Sequence, residues 1–260
     1  MDRTTDWIAA LVERHTSALS RPELLRAIRA LSARYVERRA ELDRRSPTDS
    51  AGKRAAFAAF YAPLHYLTVR GVLRELDDSS AGIDQIVDLG CGTGVAGAAW
   101  ARALPHPVPI RGIDRQGWAL DEARWNWAQL GVRGRVHRGD LVGAVREPGG
   151  RQSQSKTDGT GLILGWSVNE LDRASRAALL PALIDTARRG ATILVVEPMA
   201  RSAVPWWDEW VSAFTAAGGR AHEWRLPADL PPILLDLDRS AGFDRRELAA
   251  RSLWLKPKGP

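Results

Sequence analysis

Apolar positions in the first third of the chain recur every three or four residues. Trp7, Ile8, Leu11, Val12, His15 and Leu19 fall on one face of an amphipathic helix. A second helix is signalled at Ser20-Arg21-Pro22-Glu23, where serine suits the N-cap and proline the first turn. Its stripe is Leu24, Leu25, Ile28, Leu31 and Tyr35. Residues 44–52 form a polar break. A third helical region runs from about Lys53 to Leu76, carrying Phe57, Phe60, Tyr61, Leu64, Leu67 and Leu73, and Pro63 is expected to kink or split it.

From Ile83 the rhythm changes. Short apolar runs at 85–89, 109–113, 135–138, 162–166 and 192–197 alternate with helical stretches at 95–103, 117–129, 173–188 and 206–217. That alternation predicts βαβ units with right-handed crossovers and a mostly parallel sheet. Residues 147–160 are polar and read as a surface loop. Residues 220–224 and 246–255 predict a terminal strand pair, joined by a proline-rich loop around Pro227, Pro231 and Pro232. The expected division is a helical extension at 1–80 and an α/β domain at 81–260.

Composition narrows the classes. Hydrophobic residues make up 45% and charged residues 26% of 260, ordinary values for a globular chain of this size. No apolar stretch nears the roughly 18 to 20 residues of a membrane span, and the N-terminus lacks the pattern of a secretion signal. A cytoplasmic protein is therefore expected. Cys91 is the one cysteine, which excludes an internal disulfide framework and a multi-cysteine metal site, and no metal is expected. The net charge of +6 suits an acidic partner such as RNA. Arginine supplies all but four of the 37 basic residues, a skew that codon composition explains equally well.

The chemistry concentrates in Gln85-Ile-Val-Asp88-Leu-Gly90-Cys91-Gly92-Thr-Gly94. A buried strand ends in a turn whose bare backbone must approach something closely. A helix follows from about Val95, and its N-terminal amides favour negative charge. The stretch Gly92-Thr-Gly94-Val-Ala-Gly97 also fits the dinucleotide fingerprint, so a nicotinamide enzyme is one reading. Asp88 argues for the other, because a carboxylate suits a cationic amino acid better than a pyrophosphate. The absence of a second mononucleotide-binding half points the same way.

Residues 87–94 resemble the first motif of class I S-adenosylmethionine-dependent methyltransferases, and the likeness extends over about 83–255. It implies a Rossmann-like, doubly wound α/β fold with a mostly parallel seven-stranded sheet, preceded here by helices. It also implies S-adenosyl-L-methionine as cofactor, gripped by Asp88, Gly90, Cys91, Gly92 and Gly94. In Gly112-Ile113-Asp114 it gives Asp114 to the ribose hydroxyls, since one carboxylate accepts two O–H donors. Arg115 stands where an apolar residue usually covers the adenine, and a guanidinium can stack there. In Arg138-Gly139-Asp140-Leu141 it gives Asp140 to the adenine amino group and Leu141 to the ring. The run 162–170 resembles the fourth strand and the loop facing the methyl, although its usual leading aspartate is replaced by Gly161-Leu162. Trp166 borders both cofactor and acceptor.

Methyl transfer from a sulfonium is an in-line displacement in which the protein mainly positions the acceptor and excludes water. The candidates beside the methyl are Trp166, Asn169 and Glu170. Trp166 would wall the pocket or stack on a base, and Glu170 would be a base or a helix-end acid. Arg201 would hold an anionic substrate group. Trp206, Trp207 and Trp210 read as helix packing. The pairs Trp125/Trp127 and Trp206/Trp207 are not expected to point inward together. The N-terminal helices are expected to cover the cofactor or build the acceptor pocket. Residues 57–76 and Val196-Glu197-Pro198 are also similar to methyltransferase-like proteins of small-ribosomal-subunit assembly. That family's cysteines for an iron–sulfur cluster are not matched here. The expected activity is methyl transfer to a small molecule, with RNA or the ribosome as the other partner class. The alternative is a catalytically weak RNA-binding assembly factor.

Overall fold

The computed structural model describes residues 3–17, 19–37, 50–76, 82–146 and 158–257. The expected polar break at 44–52 and loop at 147–160 fall largely outside them. The chain divides into two compact units, Met1–His65 with Leu226–Leu248, and Tyr66–Arg225 with Ala249–Pro260.

In the first unit, α1 (Arg3–Thr16) buries Trp7, Ile8, Leu11 and Val12, the stripe its periodicity predicts. Helix α2 (Arg21–Glu37) buries Leu24, Ile28 and Leu31, and Ser20 and Glu23 close its first turn through side-chain hydrogen bonds. The third helical region splits as Pro63 requires. Helix α3 (Ala51–Ala56) passes through a π-turn at Phe57–Tyr61 into α4 (Ala62–Glu75). Within the turn, the Ala62 amide reaches back to the Phe57 carbonyl. The wider turn lies just before the residue that has no N–H to give.

In the second unit, seven strands form one sheet in the order β3-β2-β1-β4-β5-β7-β6. They are β1 (Gln85–Leu89), β2 (Ile110–Asp114), β3 (Gly134–Arg138), β4 (Thr160–Gly165), β5 (Thr192–Glu197), β6 (Arg220–Pro227) and β7 (Glu247–Leu255). Strands β1 to β5 pair in parallel, and β7 runs antiparallel to β5. Helices α5 (Val95–Ala103), α6 (Gly117–Leu130), α7 (Leu141–Arg146), α8 (Arg173–Arg188) and α9 (Trp207–Ala216) connect the strands. Covered on both faces, Ile86, Val87, Leu89 and Ile193 to Val196 are wholly buried, which is why these strands read as unbroken apolar runs. Chain order reverses between β1 and β4, so a crevice is expected at their carboxyl ends.

Three features depart from the sequence reading. Helix α7 was not foreseen; it is six residues long and too short to display a period. The proline-rich connection holds a helix, α10 (Pro232–Ser240), because Pro232 occupies its first turn, where a missing N–H costs nothing. It buries Leu234, Leu237 and Asp238, and Asp238 pairs with Arg245, which lies 4.3 Å above the Phe243 ring. Finally, Trp206 and Trp207 are both buried, at 7% and 6% exposure. Trp206 precedes the helix at its N-cap and escapes the geometry of a single stripe. Both indoles join Trp210 and Phe214 in an aromatic row.

Candidate active site

The turn after β1 passes through three left-handed glycines, but they serve different ends. A Cβ on Gly90 would lie 2.6 Å from the Ser167 Cβ, and one on Gly94 would lie 2.6 Å from the Trp127 indole nitrogen. Those two glycines permit packing. A Cβ on Gly92 (φ +50°) would meet nothing within 4 Å. Gly92 is therefore the point at which bare backbone faces open space. Cys91 anchors the turn through its N–H, which donates to the Ile113 carbonyl at 2.9 Å. Its side chain is buried, and burial raises the thiol pKa well above the usual range, so it is a neutral packing group.

Asp88 lies beneath this turn with no exposure. Its Oδ2 accepts the Gly97 amide at 2.8 Å, in the third position of α5. The helix begins at Gly94, which has no side chain to cap it. The strand carboxylate thus does the work of an N-cap. Burial pushes its pKa up to about 7, against the pull of the Gly97 amide and with a further rise from the charge of Asp114.

Asp114 ends β2 beside the turn. Its Oδ2 accepts the Gly92 amide at 2.8 Å and its Oδ1 accepts the Gln116 amide at 2.8 Å. Each carboxylate oxygen keeps a second lone pair, enough for two hydroxyl donors. The Gly139 amide donates to the Asp114 carbonyl at 3.0 Å, which ties the end of β3 to the end of β2. Next in sequence, Asp140 is exposed and caps α7, accepting the amides of Val142 and Gly143 at 3.0 Å. Leu141 is buried against the turn, and its Cδ2 would stand 3.3 Å from a Cβ on Gly90. Arg115 is exposed, and its carbonyl accepts from the Arg138 Nε at 3.2 Å.

Across the crevice, the loop after β4 is held by neighbouring strands. The Trp166 amide donates to the Val196 carbonyl at 2.8 Å, and the Ser167 hydroxyl donates to the Leu89 carbonyl at 3.0 Å. Trp166 is the one non-glycine residue with positive φ (55°) among the described residues. Such a conformation costs a bulky side chain on the order of 1–3 kcal/mol and persists only where its surroundings impose it. Glu197, fully buried at the end of β5, accepts the amides of Val168 and Asn169 at 2.9 and 3.3 Å. The Asn169 Oδ1 is enclosed and has no hydrogen-bond partner among the described residues. Glu170 is an exposed residue at the end of this loop, and surrounding protein partly desolvates its carboxyl. That crowding raises its pKa to about 7, helped by Asp114 and opposed by Arg115.

The turn thus brings Asp88, Gly92 and Asp114 together, and the influence of Asp114 reaches Glu170. Arg201, the expected anion holder, sits exposed on a short 3₁₀ turn, 3.9 Å from Asp208. Glu197, Ser167, Asn126 and Trp127 were not foreseen as site-building residues. Only Glu197 carried a signal, a lone acid closing an otherwise apolar strand. Among the described residues no group of side chains could hold a metal ion, and no helix is long and apolar enough to cross a membrane.

A seven-stranded sheet in this order, with its glycine turn and acid-ended second strand, defines a Rossmann-like α/β fold. Residues 70–149 match the methyltransferase small domain family. The ribosomal protein L11 methyltransferase of Rhodopseudomonas palustris (strain BisB5) is 33% identical over 146 residues, which cover 55% of this chain and 43% of that protein. The chain thus spans less than half the length of this curated relative. The mitomycin 7-O-methyltransferase MmcR shares the fold with a TM-score of 0.51 and 15% identity, over 96% of this chain and 72% of that one. The pyocyanin biosynthetic protein PhzM has a TM-score of 0.49 and 20% identity, over 84% and 61%. Residues 70–149 are thus similar to a methyltransferase domain, and the fold around them is one that a methyltransferase shares.

Proposed function

We propose that the chain transfers a methyl group from S-adenosylmethionine to an acceptor held at the carboxyl ends of β1, β2 and β4. One observation carries this reading. The Asp114 carboxylate is bonded to the amide of Gly92, the glycine whose missing side chain leaves open space. A ribose-reading acid and an unobstructed turn then stand side by side, beside the N-terminus of α5. The Asn169 Oδ1 in the loop after β4, without a donor among the described residues, is a further polar group able to accept one. S-adenosylmethionine, when bound, supplies an electrophilic methyl on a sulfonium.

The chain's own residues do the rest. Asp114 holds the ribose hydroxyls, and Asp140 and Leu141 at the end of β3 face the adenine, with Arg115 beside it. Glu197 and Ser167 fix the loop carrying Trp166 and Asn169, so acceptor and donor meet without reorganisation. Glu170 takes a proton from acceptors that must lose one, and its pKa of about 7 suits that task near neutrality. A small molecule is the favoured acceptor. The related protein from Rhodopseudomonas palustris is named for methylating a ribosomal protein, and its partial overlap does not carry that acceptor over. Calorimetry with S-adenosylhomocysteine and with NAD tests the proposal: binding of the first and not the second supports it, and the reverse result replaces it with a nicotinamide enzyme.

RNA contact is a second reading, favoured by one feature. A groove of about 590 Å³ at the amino ends of β1 to β3 is lined by Arg111, Arg133, Arg135 and His137. Burial first, and then the charges of Arg111 and Arg135, lower the His137 pKa. RNA retention that falls steeply with salt, and that is lost on replacing Arg133 and Arg135 by Gln, would support it.

A further inference from the structure

The glycine turn is held from outside by two adjacent side chains of α6. Asn126, with no exposure, donates its Nδ2–H to the Thr93 carbonyl at 2.9 Å. Trp127, 2% exposed, donates its indole N–H to the Gly94 carbonyl at 2.8 Å. The Trp127 ring is itself seated among glycines. A Cβ added at Gly94, Gly112 or Gly134 would come within 2.6, 2.8 or 2.6 Å of it. One indole therefore wedges the turn, the middle of β2 and the start of β3 into a fixed relation.

Within the turn, the Gly94 amide bonds to the Cys91 carbonyl at 2.7 Å, and the Gly92 amide bonds to Asp114. A chain with glycine at every second position has many other conformations open to it. In a trans peptide the carbonyl and the following N–H point in opposite directions. Turning the Thr93 and Gly94 carbonyls toward α6 therefore turns the amides of Gly94 and Val95 away from it.

We infer that Asn126 and Trp127 are positioning residues for the methyl donor: by holding two successive peptide planes they pre-set the turn that receives it. The inference rests on the reading of the turn as the donor's seat. No contact with the donor is needed, because fixing the turn beforehand spares the ordering that binding would otherwise have to supply.

Asn126→Leu keeps the approximate size and removes the donor to Thr93, and Trp127→Phe removes the donor to Gly94. Two readouts apply to both variants: calorimetry with S-adenosylhomocysteine, and residue-resolved amide hydrogen exchange. The expected result for Asn126→Leu is a five- to thirty-fold weaker dissociation constant, with exchange at Gly92 and Gly94 at least tenfold faster and the amides of β5 still protected. Trp127→Phe should change both in the same direction, which keeps the test open if one variant fails to fold. Unchanged turn exchange, or faster exchange with unaltered affinity, overturns the inference. If the unsubstituted chain binds no S-adenosylhomocysteine, the functional reading falls and the donor role with it. Exchange at Gly92 and Gly94 then still decides whether α6 holds the turn.

Discussion

Asp88 caps the helix that begins after it: its Oδ2 accepts the Gly97 amide at 2.8 Å, across the turn that separates β1 from α5. The fit is close enough that a Cβ on Gly97 would lie 2.7 Å from that oxygen. The third glycine of the fingerprint-like run is therefore explained by packing between strand and helix, with no pyrophosphate needed.

This buried carboxyl has a pH signature. Its folded pKa, about 7, stands above the ordinary 3.8. Between those values the native state binds the extra proton, so the contribution of Asp88 to stability falls as pH rises through this window and stays low above it. Asp88→Asn keeps an oxygen for Gly97 and cannot ionise. The stability of the variant relative to the unsubstituted chain should rise between pH 4 and 8, by on the order of 2–4 kcal/mol. Denaturant unfolding at several pH values checks this, and a pH-independent difference would mean that Asp88 ionises normally in the fold.

Gly92 and Gly94 should respond unequally to alanine. At Gly92 the new methyl meets open space, so the cost to folding is the left-handed backbone alone, roughly 1–2 kcal/mol. At Gly94 the methyl meets the Trp127 nitrogen at 2.6 Å and the Ala123 Cβ at 2.8 Å, adding an overpacking cost of about 1–3 kcal/mol. Gly94→Ala should therefore lose more stability, whereas Gly92→Val should abolish cofactor binding in a protein that still folds. Normal binding by Gly92→Val would contradict this account of the turn.

Much of this frame was legible in the chain. Strands β1 and β5, and helices α5 and α8, fall where alternating apolar runs and capping residues place them, because those signals are local. The residues that build the site escaped where their roles are made across space. Asn126 and Trp127 sit on an ordinary amphipathic helix, and nothing nearby in sequence says that they face a turn some 30 residues earlier. Trp206 misled because a helix stripe was assumed to begin one residue too soon. The grouping of residues 226–248 with the N-terminal helices arises from long-range packing, of which Arg21 with Asp236 is one tie.

Asp114→Ala should weaken S-adenosylhomocysteine binding by roughly 1.5–3 kcal/mol, about 10- to 150-fold, the scale of hydrogen bonds to a charged group. The loss has two parts, the ribose contacts and the partner of the Gly92 amide. Asp114→Asn keeps an acceptor oxygen for one of them and should fall between. Calorimetry on both variants measures this, and an unchanged dissociation constant would remove Asp114 from the site.

Glu170 supplies the remaining prediction, because its environment sets both its protonation and its use. Crowding by protein is the chief cause of its pKa near 7, and the negative charge of Asp114 adds to it. At pH 6 the carboxyl is therefore mainly protonated, and at pH 8 it is mainly ionised and able to accept a proton. In carbon-detected NMR of glutamate-labelled protein, one side-chain carboxyl should titrate near neutrality and vanish in Glu170→Gln. In Asp114→Asn its midpoint should move down, since a like charge has gone, yet remain above the ordinary 4.5 because the crowding is unchanged. With an acceptor that must lose a proton, turnover should rise with pH through the same midpoint, and Glu170→Gln should flatten that limb. A carboxyl titrating at its ordinary value would take the base role away from Glu170, while leaving the role proposed for Asp114 untouched.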